Sequence, residues 1–175
     1  MGCLKKELSH MALGLVEELE EIKKVLEDLE DPQVRNKEAC LQELGEEMGD
    51  FMWYLAEYAN FCNMHMAPMR SNISYHEHVE FEFTAEDLIR DLEIQVAKIA
   101  GGTKKLLAYG KEFNRDMMSA YLSNICTSMY LLAALPQYKQ DMDNILERNI
   151  LKLKLRYPEK FTEEDALERK DKKQL

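Results

Sequence analysis

An all-α fold, a bundle of about five helices, is what this sequence predicts, on three observations. Glycine and proline are scarce, 7 and 4 in 175 residues, so few positions interrupt a helix. Glu, Lys, Leu, Met and Ala are abundant while aromatic residues make up 9%, a composition that favours helices over sheets. Apolar residues recur at helical spacing over long stretches.

Leu8, Met11, Ala12, Leu15, Val16, Leu19, Ile22, Leu26 and Leu29 set out a first helix from about Leu4 to Glu30, and Asp31-Pro32 ends it or opens the next. Leu41, Leu44, Met48, Phe51, Met52, Leu55, Tyr58, Ala59 and Cys62 give a second, ending near Met64. A connection of about twenty residues follows, longer than most loops in a compact domain. Its end, Val79-Glu80-Phe81-Glu82-Phe83, alternates like a short strand. Thr84-Ala85-Glu86-Asp87 reads as a capping box with Asp in place of Glu, opening a third helix that stops at Gly110. A fourth helix runs from about Asn114 to Leu135, ahead of Pro136, and a fifth from about Asp143 to Leu155, ahead of Arg156-Tyr157-Pro158. Thr162-Glu163-Glu164-Asp165 can cap a short charged tail helix. The length suits one domain, divided as a helix pair (1–65), a connection (66–83), a second pair with a basic final helix (84–158) and a tail (159–175).

The formal charge of −10 argues against nucleic-acid polymers or an anionic membrane as general partners. Residues 1–60 hold 15 acids and 6 bases, whereas residues 101–175 hold 11 acids and 14 bases, so a cation site at one end can face a phosphate site from the other. Cys3, Cys40, Cys62 and Cys126 lack C-x-x-C spacing and read as reduced thiols, three of them in the core, which fits a cytoplasmic protein. Met1-Gly2-Cys3 has Lys6 where a myristoylation signal wants Ser or Thr, no signal peptide is visible, and the apolar run 129–135 is too short to span a bilayer.

Glu17-Glu18-Leu19-Glu20-Glu21 and Glu46-Glu47-Met48-Gly49-Asp50 each place two carboxylates three residues apart on a helix, with Cβ atoms about 5–6 Å apart, close enough to share one hard cation. At about 100° per residue, Glu18 lies roughly 70° and Glu21 roughly 130° from the centre of the apolar stripe. Glu47 and Asp50 take the same two offsets on the second helix, while Glu17 and Glu20 lie farther towards solvent. Glu-rich helices usually carry solvated faces; the second pair at matching angles favours a site for Mg²⁺ or Mn²⁺. Four carboxylates at a core boundary repel one another without a cation, and their pKa values rise if they stay unpaired.

These residues resemble the Glu-x-x-Glu then Glu-x-x-Asp signature of the MazG-like all-α nucleoside triphosphate pyrophosphohydrolases, and Asn149-Ile150-Leu151-Lys152-Leu153-Lys154-Leu155-Arg156-Tyr157-Pro158 looks like that family's Asn-x-x-Lys-Leu-x-x-Arg-Tyr-Pro segment. The resemblance implies that Glu18, Glu21, Glu47 and Asp50 bind Mg²⁺ and that water attacks the α-phosphorus of a nucleotide, releasing monophosphate and pyrophosphate. Tyr109-Gly110-Lys111 looks like a Tyr-Gly-Lys often seen between the family's two ligand helices, but here it lies beyond them.

Lys152 and Arg156, four apart on one helix face, suit a triphosphate, Arg as a fork and Lys as a point charge; the competing reading is a basic helix end favoured by the helix dipole. Asn149 is a hydrogen-bonding candidate for base or phosphate. Trp53, three residues past Asp50, can stack on a base or simply pack. Lys23 and Lys24 read as surface charges, and His65, His76 and His78 match no common metal spacing. Glu17, Glu43 and Glu46 are candidates to activate water. Two competing functions remain, a non-catalytic helical interaction module and a di-iron carboxylate bundle. The second needs Glu-x-x-His from two helices, and only Glu7-Leu8-Ser9-His10 fits.

A weak internal repeat runs through the chain. Ile22-Lys23-Lys24-Val25-Leu26 matches Thr103-Lys104-Lys105-Leu106-Leu107, and Asp50–Ala56 matches Thr127–Ala133. Under this alignment Glu21 falls on Gly102, Glu47 on Asn124 and Asp50 on Thr127, so a single chain would imitate a dimer with one working half. Association into a homo-oligomer is a further expectation for an enzyme of this size.

Overall fold

The computed structural model describes residues 2–64, 66 and 83–157, with side chains from Lys6 onward. They form five helices: α1 (Gly2–Glu30), α2 (Lys37–Phe61), α3 (Ala85–Tyr109), α4 (Arg115–Ala134) and α5 (Met142–Arg156). The alternating segment is described only at Phe83, and Pro158 and the expected tail helix lie outside the described residues.

Capping explains where the helices begin and end. Asn36 accepts a hydrogen bond from the Ala39 amide, Asn114 from Met117, and Asp141 from Asp143 and Asn144. Thr84 and Asp87 form the reciprocal capping box expected from sequence, Asp serving as Glu would. At the far end of α3, Gly110 takes φ 64°, and its amide donates to Leu106 and Lys105 carbonyls. That left-handed cap gives the Tyr109-Gly110-Lys111 segment a structural role.

Residue pairs fix the helix directions. Gly14 lies against Tyr54, and carboxylate oxygens of Glu21 and Glu47 come within 4.8 Å of each other, so α1 and α2 are antiparallel. Asp91 with Ser128, Lys98 with Tyr121 and Gly102 with Met118 make α3 and α4 a second antiparallel hairpin. The hairpins are joined by the Lys23–Glu93 ion pair at 2.7 Å and by a buried Tyr58–Thr103 hydrogen bond at 2.8 Å. Those two ties set α3 parallel to α2, which leaves Phe61 and Ala85 at opposite ends of the bundle.

Fully buried Leu15, Ile22, Met48, Phe51, Leu92 and Ile125 mark the core shared by both hairpins. Cys126 belongs to it, whereas Cys40 and Cys62 are only half-buried; none of the three forms a disulfide, and of the cysteines whose side chains are described one lies in the core, against three expected from the sequence. No described helix is long and apolar enough to cross a membrane.

Helix α5 packs along α2 in parallel register. Gly45 faces Ile145 and Arg148, Gly49 faces Asn149, and Gln140, just ahead of α5, donates to the Leu41 carbonyl at 2.8 Å. A Cβ on Gly49 would meet Asn149 at 2.9–3.2 Å, so glycine here permits the helix contact. Gly101, in the middle of α3, has open space around it. Gly49→Ala should therefore destabilise the fold by about 1–3 kcal/mol, while Gly101→Ala should stabilise it by roughly 0.5–1 kcal/mol. Urea titration of the two variants checks the opposite signs.

Candidate metal centre

The antiparallel register of α1 and α2 carries the acidic pairs to the same level of the bundle. Glu18, Glu21 and Glu47 each bring a carboxylate oxygen within 4.8 Å of the others. Glu18 and Glu47 are partly buried and Glu21 is exposed, the order that the helix angles require. A cleft of about 490 Å³ opens beside them, lined by Glu17, Glu20, Glu21, Lys24, Val25, Glu43 and Glu47.

Asp50 borders that trio without joining it. Lys152 Nζ donates to both its oxygens at 2.6 Å, and Asn149 Nδ2 donates to Oδ1 at 2.5 Å. The helix angle alone puts Asp50 near solvent, but α5 lies over it and leaves its side chain 25% exposed. Two of the sequence candidates for phosphate contact thus reach the acidic cluster through Asp50. Gly49 allows this by letting the buried Asn149 against the α2 backbone.

The electrostatics are those of a site short of positive charge. Glu18 is pushed up to about 8, first by burial and then by the charges of Asp50, Glu21, Glu47 and Glu17. Its Oε2 is buried without a hydrogen-bond partner. Glu47 is raised to about 7 by burial, the Glu21 charge and a hydrogen bond with Glu21, with Lys152 acting in the opposite direction. An orphaned buried oxygen and three hard oxygen donors fit a divalent cation such as Mg²⁺ or Mn²⁺. The trio offers carboxylate oxygens, the donor type of Mg²⁺ and Mn²⁺ sites, rather than the thiolate and imidazole sets common for zinc.

Other candidates occupy varied positions. Trp53 is half-buried and meets the Tyr54 ring edge-on, with centroids 4.9 Å apart, at the margin of the core. Arg156 lies one turn beyond Lys152, its guanidinium 5.9 Å from the Tyr157 ring. Glu17 and Glu43 line the cleft, whereas Glu46 faces Gln42. Lys23 is structural, held by Glu20 and Glu93, but Lys24 lines the cleft. His10 packs edge-on to Tyr54, and His65, His76 and His78 lie outside the described residues.

Sequence reasoning missed Tyr54. Its ring lies so close to Gly14 that any Cβ there would collide with it. Burial and the charges of Glu18, Glu17 and Asp50 raise its phenol to about 12, keeping it a proton donor beside the cluster. A glycine in the middle of a long helix was the available signal.

No protein-family model matches the chain, nor does any curated protein or solved structure.

Glu18 and Glu47 are raised above the ordinary carboxyl value of 4.5, so without metal the fold takes up protons that the unfolded chain releases. Their contribution to stability is present below pH 4.5 and is lost as pH rises through about 7 to 8. In EDTA the melting temperature should fall between pH 5 and pH 8, the fall should be smaller in Glu18→Gln, and Mg²⁺ should restore stability at pH 8. Thermal melts of both proteins across that range measure all three effects.

Proposed function

We propose that this chain is a Mg²⁺-dependent nucleotide pyrophosphohydrolase, which Mn²⁺ also supports, cleaving a nucleoside triphosphate to monophosphate and pyrophosphate. The observation that carries this reading is the convergence of Glu18, Glu21 and Glu47 beside the basic end of α5. An uncompensated trio of hard oxygen donors next to Lys152 and Arg156 suits a phosphate chain that arrives with its cation.

A divalent cation bound there supplies charge neutralisation for the phosphate oxygens and acidifies water. Glu18, Glu21 and Glu47 would hold it through their carboxylate oxygens. Asp50 holds Lys152 in place through the paired 2.6 Å contacts and would add a fourth carboxylate to the donor set. Asn149 keeps α5 in register with α2. Arg156 offers a second cationic contact one turn away, a bidentate fork where Lys152 is a point charge. Glu17 and Glu43, on the cleft wall, are placed to take the proton from attacking water.

The acidic surface argues against nucleic-acid polymers and for small phosphorylated substrates. Trp53 and Tyr54 offer aromatic surface on the flank of the cluster for a base.

Pyrophosphate release from a panel of nucleoside triphosphates should require Mg²⁺ or Mn²⁺ and vanish in EDTA. Glu47→Gln should abolish it in a folded protein. Lys152→Ala should lower kcat/KM roughly 10–100-fold, the effect of losing a charged phosphate contact of about 1.5–3 kcal/mol. Turnover in EDTA, or wild-type rates in Glu47→Gln, would overturn the proposal.

A further inference from the structure

One constant offset along the sequence superimposes the burial pattern of the first hairpin on the second. It carries Met11 onto Leu88, Leu15 onto Leu92, Leu19 onto Val96, Ile22 onto Ile99 and Leu26 onto Thr103, all of them buried. Applied to α2, the same offset carries Met48 onto Ile125, Met52 onto Met129, Leu55 onto Leu132 and Tyr58 onto Leu135, again all buried. Exposed Leu13, Val16, Glu20 and Glu21 fall on exposed Arg90, Glu93, Ala97 and Lys98.

This register agrees with the sequence echo between α2 and α4 but shifts α3 by about one turn. Gly102, which the Lys-Lys echo places on Glu21, falls instead on Val25, and its Cβ direction points at Met118. The position of Glu21 belongs to Lys98, and that of Glu18 to Gln95.

A second observation singles out the same position independently. Among the described residues two buried side-chain oxygens lack a hydrogen-bond partner, Glu18 Oε2 and Gln95 Oε1, and the offset makes them equivalent. Gln95 is 8% exposed, and its amide nitrogen is held by Asp91 at 3.2 Å. Its neighbour one turn on, Lys98, places its ammonium 5.0 Å from the centre of the Tyr121 ring on α4.

We infer that the second hairpin is a charge-replaced copy of the metal centre. Gln95, Lys98, Asn124 and Thr127 stand where Glu18, Glu21, Glu47 and Asp50 stand, and the Lys98 ammonium supplies within the chain the positive charge that the first hairpin takes from a cation. Every carboxylate is replaced by a neutral or cationic group, so this half folds without metal. Restoring the acids should create a second cation site. The inference rests on the metal reading of the first hairpin, but the correspondence between halves can be tested apart from it.

The full-length variant Gln95→Glu/Lys98→Glu/Asn124→Glu/Thr127→Asp should double the Mn²⁺ stoichiometry measured by calorimetry relative to wild type. A folded variant with wild-type stoichiometry would overturn the inference. The reciprocal variant Glu18→Gln/Glu21→Lys/Glu47→Asn decides the matter if the first does not fold. It should bind no Mn²⁺ and, in EDTA at pH 8, melt several degrees above wild type, because the transplanted set removes the repulsion. A lower melting temperature in EDTA would show that the two sets are not interchangeable. Wild-type protein that binds no Mn²⁺ would defeat the metal reading, whereas the EDTA comparison would still judge the correspondence.

Discussion

Like-charge crowding at the α1–α2 interface is the constraint around which this molecule is arranged. Helix register, set by apolar packing of Leu15, Ile22, Met48 and Phe51, brings Glu18, Glu21 and Glu47 together whether or not their charges are balanced. Burial makes the repulsion costly by removing the water that would screen it. Protonation of Glu18 and Glu47 is one relief, and a divalent cation is another. The chain supplies partial relief of its own at Asp50, through Lys152 and Asn149 on α5. That contact joins the site to the fold, since the glycines that seat α5 on α2 also bring the basic helix end to the acidic cluster.

The helices were legible because their determinants are local. A period of 3.6, Asn and Thr caps and a glycine stop act within a few residues, and the expected boundaries agree with the structure to within a turn. The carboxylate trio was legible for a related reason: angles around a single helix predict which glutamates border the core, and the short link between α1 and α2 makes them antiparallel neighbours. The state of Asp50 was not. Its burial comes from a helix about a hundred residues away, docked against Gly45 and Gly49, and no angle calculated on α2 alone contains α5. Tyr54 was missed in the same way, because its position depends on the absence of a side chain at Gly14 across the interface.

The internal repeat shows which sequence similarities carry structural information. The echo between α2 and α4 rests on packed residues such as Met52 and Met129, and the burial pattern agrees with it. The Lys-Lys echo between α1 and α3 rests chiefly on a pair of charged residues, and it differs from the burial register by about one turn. On the inference that the second hairpin is a charge-replaced copy, charge diverges while core spacing is kept, with Gln95 in the place of Glu18 and Lys98 in that of Glu21.

The central claim is that the Glu18, Glu21 and Glu47 cluster takes up a divalent cation in exchange for protons. Because Glu18 and Glu47 are raised to about 8 and about 7, the metal-free protein holds protons there at pH 7 that cation binding must displace. Titrating Mg²⁺ into weakly buffered protein at pH 7 while recording pH measures this directly. A saturable release of about one proton per chain is expected, absent in Glu18→Gln/Glu47→Gln. Saturable binding with no proton release, or no binding at millimolar Mg²⁺, would contradict it.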